Sequence, residues 1–223
     1  MEYTIKYSKR RKTLNITVER NRSVVVTAPE GTNEEKIKAV VESKRKWIEE
    51  KISSSQKWDE ENAKEFVSGE SILYLGKFYF LKIDDAKIET LNFDDCFHIA
   101  KNNFANAKEI FKQWFVKRAE EYITPLAKSC AENLGVVYKQ CKIVDNMEYR
   151  WGSCTPKGNI CFNWRIIKAP MNVVRYVVLH ELAHRLEYNH TDRFWNIVSV
   201  QQPDYLTAKE WLKENGGLLE RDF

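Results

Sequence analysis

Residues 180–190 read HELAHRLEYNH, and three of the four histidines of the chain fall inside them. His180 and His184 are four positions apart, with Glu181 directly after the first. On a helix, positions i and i+4 share a face about one turn apart, so two imidazole nitrogens can meet one ion. Zinc takes such nitrogens at roughly 2.0–2.1 Å and, in hydrolytic sites, leaves its fourth position open. Glu181 is turned about 100° from His180 and reaches that open position, where a zinc-bound water sits. The spacing is that of two metal ligands and one general base, H-E-x-x-H.

A third ligand has to come from elsewhere. His190 follows His180 by ten residues, which in a continuous helix places it about 15 Å further along the axis. The helix must therefore end near residues 187–189 and fold back. Asn189 suits the left-handed conformation that ends helices, and Thr191 suits the cap of a following helix. Asp204 and Glu210 are the alternative third ligands. Glu187 lies on the face of His184 one turn further on and is expected at the edge of the site, supporting a ligand. One zinc ion per chain is expected.

These residues need a scaffold. "MNVVRYVVLHELAHRLEY" is strongly apolar and follows Ala169-Pro170, a common helix entry. Before it, "YKQCKIVD" (138–145) and "NICFNWRII" (159–167) read as strands, and "RFWNIV" and "LTAKEWLKEN" after it as helical patches. From Ala105 a helical period runs to a stop at Gly135, with Pro125 expected to kink or divide it. The first part of the chain is richer in strands. "LNITVERNRSVVVTAP" (14–29) reads as a hairpin around "RNRS", and "SILYLGKFYFLKID" (71–84) as another turning near Gly76-Lys77. Between them, 32–52 has helical spacing with Thr32 or Asn33 as cap, and 53–65 is polar and loop-like. The expected class is α+β. Residues 1–100 are expected to form a β-rich N-terminal region with one helix, and 101–223 an α+β metal-site unit with the active-site helix packed on a small sheet.

Composition sets outer limits. The 223 residues are 43 % hydrophobic and 30 % charged, ordinary for a globular protein. A net charge of +4 from 36 basic and 32 acidic residues permits a nucleic-acid partner with little to support one. The five cysteines form no C-x-x-C pair and read as free thiols. "MEYTIKYSKRRK" lacks the apolar region of a secretion signal, and no run approaches the about twenty apolar residues that span a bilayer. A cytoplasmic protein without a membrane partner is expected; the oligomeric state is not legible.

"RWGSCTPKGNICFNWRIIKAP", then "VVRYVVLHELAHRLEYNHTDRFWNIV" and "PDY", closely resemble the YgjP-like metal-dependent hydrolases, a zincin-type metallopeptidase domain family related to SprT-like and WLM-type domains. The resemblance extends to the N-terminal hairpin and helix. It implies zinc held by His180, His184 and His190, with Glu181 as the catalytic glutamate. The outer histidines have the spacing of metzincins, but Glu187 stands where those enzymes have a helix-ending glycine, and no methionine follows Met171. The family label leaves the substrate open between peptides and nucleotide phosphoanhydrides.

Around the motif, "YRWGSC" (149–154) reads as a tight turn with a core tryptophan. Alternatively, the strand it precedes lies at the sheet edge beside the zinc and pairs with an extended substrate. Arg150 and Arg165 are the candidate substrate-binding cations, against the plainer reading of outward, solvated charges. Cys154 and Cys161 are spaced wrongly for a ligand pair, Phe194 and Trp195 read as core, and His98 receives no role. Three functions compete. The first is a zinc peptidase acting on an extended peptide. The second is a metal-dependent pyrophosphatase of nucleoside triphosphates, needing cations such as Arg150, Arg165 or Lys168. The third is a nucleic-acid-binding module with a structural metal. No Walker-type glycine loop is present, which favours the peptidase.

Overall fold

Valine-rich "VVVTAP" is buried along most of its length and becomes the central strand of the first of three sheets. The computed structural model describes residues 1–18, 23–61, 65–85, 91–145, 147 and 150–220. Within them the chain forms two compact units, Met1–Ala63 and Lys64–Phe223.

In the first unit, β2 (Asn15–Val18) pairs antiparallel with β3 (Val24–Pro29), the expected hairpin, whose turn residues 19–22 lie outside the described residues. A strand that the alternation does not single out, β1 (Thr4–Ser8), adds in parallel on the other side of β3. Helical residues follow, but as two helices. Asn33 caps α1 (Glu34–Ser43) by accepting the Glu35 N–H at 2.8 Å, and a break at Lys44 separates it from α2 (Arg45–Glu61). The buried face keeps its phase across the break: Ile48, eleven residues after Ile37, is buried with it, while Trp47 falls to the side of that face and is 42 % exposed. The polar stretch expected as a loop is helical as far as Glu61. Polar side chains do not oppose a helix when several of them, Glu and Lys above all, are good helix formers.

The second unit holds the histidine motif. β4 (Ser71–Tyr74) and β5 (Lys77–Asp84) form the second expected hairpin, and β6 (Asn92–Phe93) and β7 (Phe97–Ala100) complete a sheet of order β4-β5-β7-β6. The hairpin turns at Leu75 and Gly76, both with positive φ, as a two-residue turn of the favoured twist requires. Gly76 also packs so close to Pro170 that a methyl group there would sit 2.5 Å from the proline ring. The long helix α3 (Ala107–Leu134) ends at a left-handed Gly135, as its sequence indicates, but Pro125 does not divide it. Pro125 and Glu121, whose carbonyl loses its partner, both lie on the exposed face, where water can satisfy the carbonyl.

The unit boundary falls at residue 63, not near 100 where the pattern changes from strand to helix. The reason is packing: Tyr74, Leu81, Phe97 and Ile99 of the four-stranded sheet share one core with Phe111 and Phe115 of α3. Phe97 meets Phe111 at 5.5 Å between ring centres. The same core continues into a third sheet, order β8-β10-β9, of β8 (Gln140–Val144), β9 (Gly152–Cys154) and β10 (Asn159–Asn163). β10 is shorter than the apolar run implies. The Asn163 side chain accepts the Arg165 N–H at 3.0 Å and starts a 3-10 turn over Trp164–Lys168. Helices α4 (Met171–Ala183), α5 (Asp192–Gln201) and α6 (Tyr205–Glu220) close the unit. The expected α+β class is what this architecture shows. No described helix is long and apolar enough to cross a membrane.

Candidate active site

α4 is buried on nearly every side, and its polar positions are concentrated where it meets the cleft. His180 lies within the helix and His184 is its C-terminal cap residue. The helix ends about one turn earlier than its polarity indicates: Arg185 and Leu186 donate to Leu182 and Ala183 in a tightened last turn. Asn189 is not in the left-handed region; tightening the turn already redirects the chain. Thr191 then caps α5 as expected, accepting the Phe194 N–H at 3.4 Å, and His190 is carried back over α4.

The coordinating atoms of His180, His184 and His190 all lie within 4.8 Å of one another. Neither Asp204 nor Glu210 joins this group among the described residues. His180 Nε2 and His190 Nε2 are 2.9 Å apart, against about 3.3 Å for two nitrogens on one tetrahedral zinc. His184 Nδ1 donates to the Glu187 carbonyl at 3.2 Å, which leaves its Nε2 lone pair for the cluster. Glu187 thus lies at the edge of the cluster, where it holds the His184 ring through its backbone carbonyl and not its side chain. His180 Nδ1 is buried and has no hydrogen-bond partner, so packing fixes that ring. Phe194, fully buried, sits 4.7–4.9 Å from all three imidazoles. Phe194 is core, as its sequence context indicates, and it is also the floor of the histidine cluster.

Burial, reinforced by the neighbouring His184, His190 and Lys209, lowers the His180 pKa to about 3, and His190 is lowered for similar reasons. Both rings are therefore neutral at physiological pH, the form that ligates metal. Burial raises Glu181 to about 7, partly offset by the positive charge of Arg150. Three imidazoles with converging nitrogens and an ionisable carboxylate beside them fit a divalent metal of zinc's chemistry.

Glu181 is 7 % exposed and lies directly against Gly152 on β9. A methyl group on Gly152 would stand 2.6 Å from Glu181 Cγ and 2.8 Å from Oε1. The histidines, Glu181, Gly152, Cys154, Tyr176 and Tyr188 line one cleft of about 430 Å³. The edge strand beside the cleft is β9, not the "NICFNWRII" strand, which is central. Sequence reading also passed over Tyr176, although its place one turn before His180 puts it on the same face of α4. The requirement for glycine at 152 had no local signal, because it depends on a side chain of another element.

The candidate cations separate. Arg150 is exposed and lines the cleft. Arg165 does not: it is 4 % exposed, stacks on Trp164 at 4.4 Å and pairs with Asp145 at 2.6 Å. It is neither a solvated charge nor a lining residue of the cleft, because the 3-10 turn that ends β10 points it at Asp145. Lys168 is also buried, donating to the Leu219 carbonyl at 3.4 Å. The five cysteines are free.

A family model described as the YgjP-like metallopeptidase domain matches residues 12–215. Among solved structures, the metallopeptidase zymogen of Pyrococcus abyssi, abylysin, is similar at 21 % identity with a TM-score of 0.38, over 45 % of this chain and 98 % of that one. No curated protein matches the chain.

Proposed function

We propose, for a chain that belongs to the YgjP-like metallopeptidase domain family, that it hydrolyses peptide bonds with zinc held by His180, His184 and His190 and with Glu181 as general base. One observation carries the reading: the three imidazoles, the buried carboxylate and the open edge of a short strand line a single cleft. When bound, the ion supplies Lewis acidity that polarises the scissile carbonyl and acidifies water. Glu181 accepts the proton of the attacking water on a carboxylate oxygen and returns it to the departing amine nitrogen. Gly152 leaves room for the Glu181 side chain, and the edge of β9 offers backbone groups to an extended peptide. Arg150 stands at the mouth, where its charge favours ionised Glu181.

Triphosphate hydrolysis is less well supported, since Arg165 and Lys168 are committed elsewhere and only Arg150 of the three candidate cations lines the cleft. A structural metal is less well supported again. Such sites are closed by four protein ligands, and here the group is three histidines. The test is to incubate zinc-loaded protein with a peptide library and, separately, with nucleoside triphosphates. Peptide cleavage without triphosphate hydrolysis is expected. Triphosphate hydrolysis that Arg150→Ala weakens, with peptides left intact, would reverse the assignment.

A further inference from the structure

A second set of metal-ligating side chains converges on the four-stranded sheet. Asp94 and Cys96 lie in the bend that joins β6 to β7, and His98 is the second residue of β7. The Asp94 carboxylate accepts the backbone N–H of Asp95 at 2.5 Å and of Cys96 at 3.0 Å, which fixes the bend. His98 Nε2 lies 3.1 Å from Cys96 Sγ and 3.5 Å from Asp94 Oδ1, and the sulfur is 3.7 Å from that same oxygen. Around a tetrahedral zinc, with bonds of about 2.3 Å to sulfur and 2.0–2.1 Å to nitrogen and oxygen, these edges measure about 3.3–3.6 Å. On the far side of the ring, His98 Nδ1 donates to Asp84 Oδ2 on β5 at 2.7 Å. A carboxylate behind the imidazole sets its tautomer and aims Nε2 at the other two groups, as in histidines that carry metal.

We propose that Asp94, Cys96 and His98 form a second divalent-cation site of the zinc class, with Asp84 holding the His98 ring. Thiolate, imidazole and carboxylate together select zinc or cobalt over magnesium or calcium. Binding forms a sulfur–metal bond and releases the Cys96 thiol proton to solvent. Burial disfavours the Cys96 thiolate and pushes the thiol up, which Lys82 on β5 partly offsets, while Asp84, Asp94 and Asp95 supply local negative charge that favours a cation. Asp94 is 69 % exposed, so solvent can fill the fourth position. The Cys96–His98–Asp84 chain also has the order of a nucleophile, its base and an orienting acid. With Cys96 only 6 % exposed, the sulfur is closed to a substrate carbonyl. The site raises the expected metal content from one ion to two and ties the β6–β7 bend to itself.

The test is titration of the chelator-stripped full chain with zinc and with cobalt(II). Two equivalents and a near-ultraviolet sulfur-to-cobalt charge-transfer band are expected. His180→Ala should lose one equivalent and keep the band. Cys96→Ser should lose the other equivalent and the band. Cys154→Ser is the matched control, because Cys154 lines the cleft, and it should keep both. Asp84→Asn, which leaves all three ligands in place, should weaken the second equivalent about ten- to a hundredfold. If the cleft held no ion, the wild type would bind a single equivalent that Cys96→Ser removes, so the two sites fail separately. One equivalent without the band, or a band that survives Cys96→Ser, overturns the proposal.

Discussion

Glu181 rests against a residue with no side chain, and that contact makes a sharp prediction at the scale of single residues. In Gly152→Ala the new methyl group must displace the Glu181 side chain, the flexible partner, and not the strand. Misplacing a catalytic group by about 1 Å costs roughly a hundredfold in rate. Turnover should fall by about that factor with metal content unchanged; an undiminished rate would mean that Glu181 does not work from this position. The ligands should differ among themselves. His180→Ala and His184→Ala should abolish metal uptake, while His190→Ala, on an exposed loop residue, should weaken it without abolishing it, as equilibrium dialysis would show. At this scale the site was largely legible. The H-E-x-x-H spacing carries its chemistry in the sequence because it depends only on helix geometry, and His190 is legible beside it because its distance demands a fold-back that Thr191 can cap. Gly152 and the Phe194 floor were not legible as parts of the site, because each matters through a contact made across elements.

At the scale of elements, the two hairpins, β8, β10 and α3 to α6 follow the periodicity of the sequence, whereas β1 and β9 do not. At the end of β10 a single side chain decided the departure. Asn163 ends β10 and turns Arg165 inward, so a residue that reads as a strand cation becomes a buried ion pair. Asp145 gathers that pair. Burial acts to raise its carboxyl, but Lys112, Trp164 and Arg165 outweigh burial and hold it well below the usual carboxylate range. A depressed folded pKa contributes stability above the unfolded value of about 3.9 and loses it as pH falls below. Asp145→Asn should cost about 2 kcal/mol at neutral pH, and its melting temperature should fall less than the wild type's between about pH 5 and 3. Equal acid slopes in the two proteins would remove Asp145 from the account. Thr191→Ala removes the cap of α5 and should cost about 1 kcal/mol. It should also loosen metal binding, because His190 directly precedes the cap. Calorimetry and metal titration on one sample would show both effects.

At the scale of the molecule, one core joins both sheets and the helices of residues 64–223, a union that no local pattern announces because it is made by contacts distant in sequence. The metal should act on the stability of this unit as a ligand of its folded form. An ion at about a hundred times its dissociation constant stabilises the native state by about 2.7 kcal/mol, so chelation should lower the melting temperature and zinc should restore it. The catalytic claim needs a change that leaves this effect alone. Glu181→Gln keeps shape and helix propensity and removes the base. With metal content, melting temperature and peptide turnover measured on wild type and variant together, the first two should match, and turnover should fall by about a hundred- to ten-thousandfold. A Gln variant that cleaves peptide at the wild-type rate would contradict the mechanism at its centre.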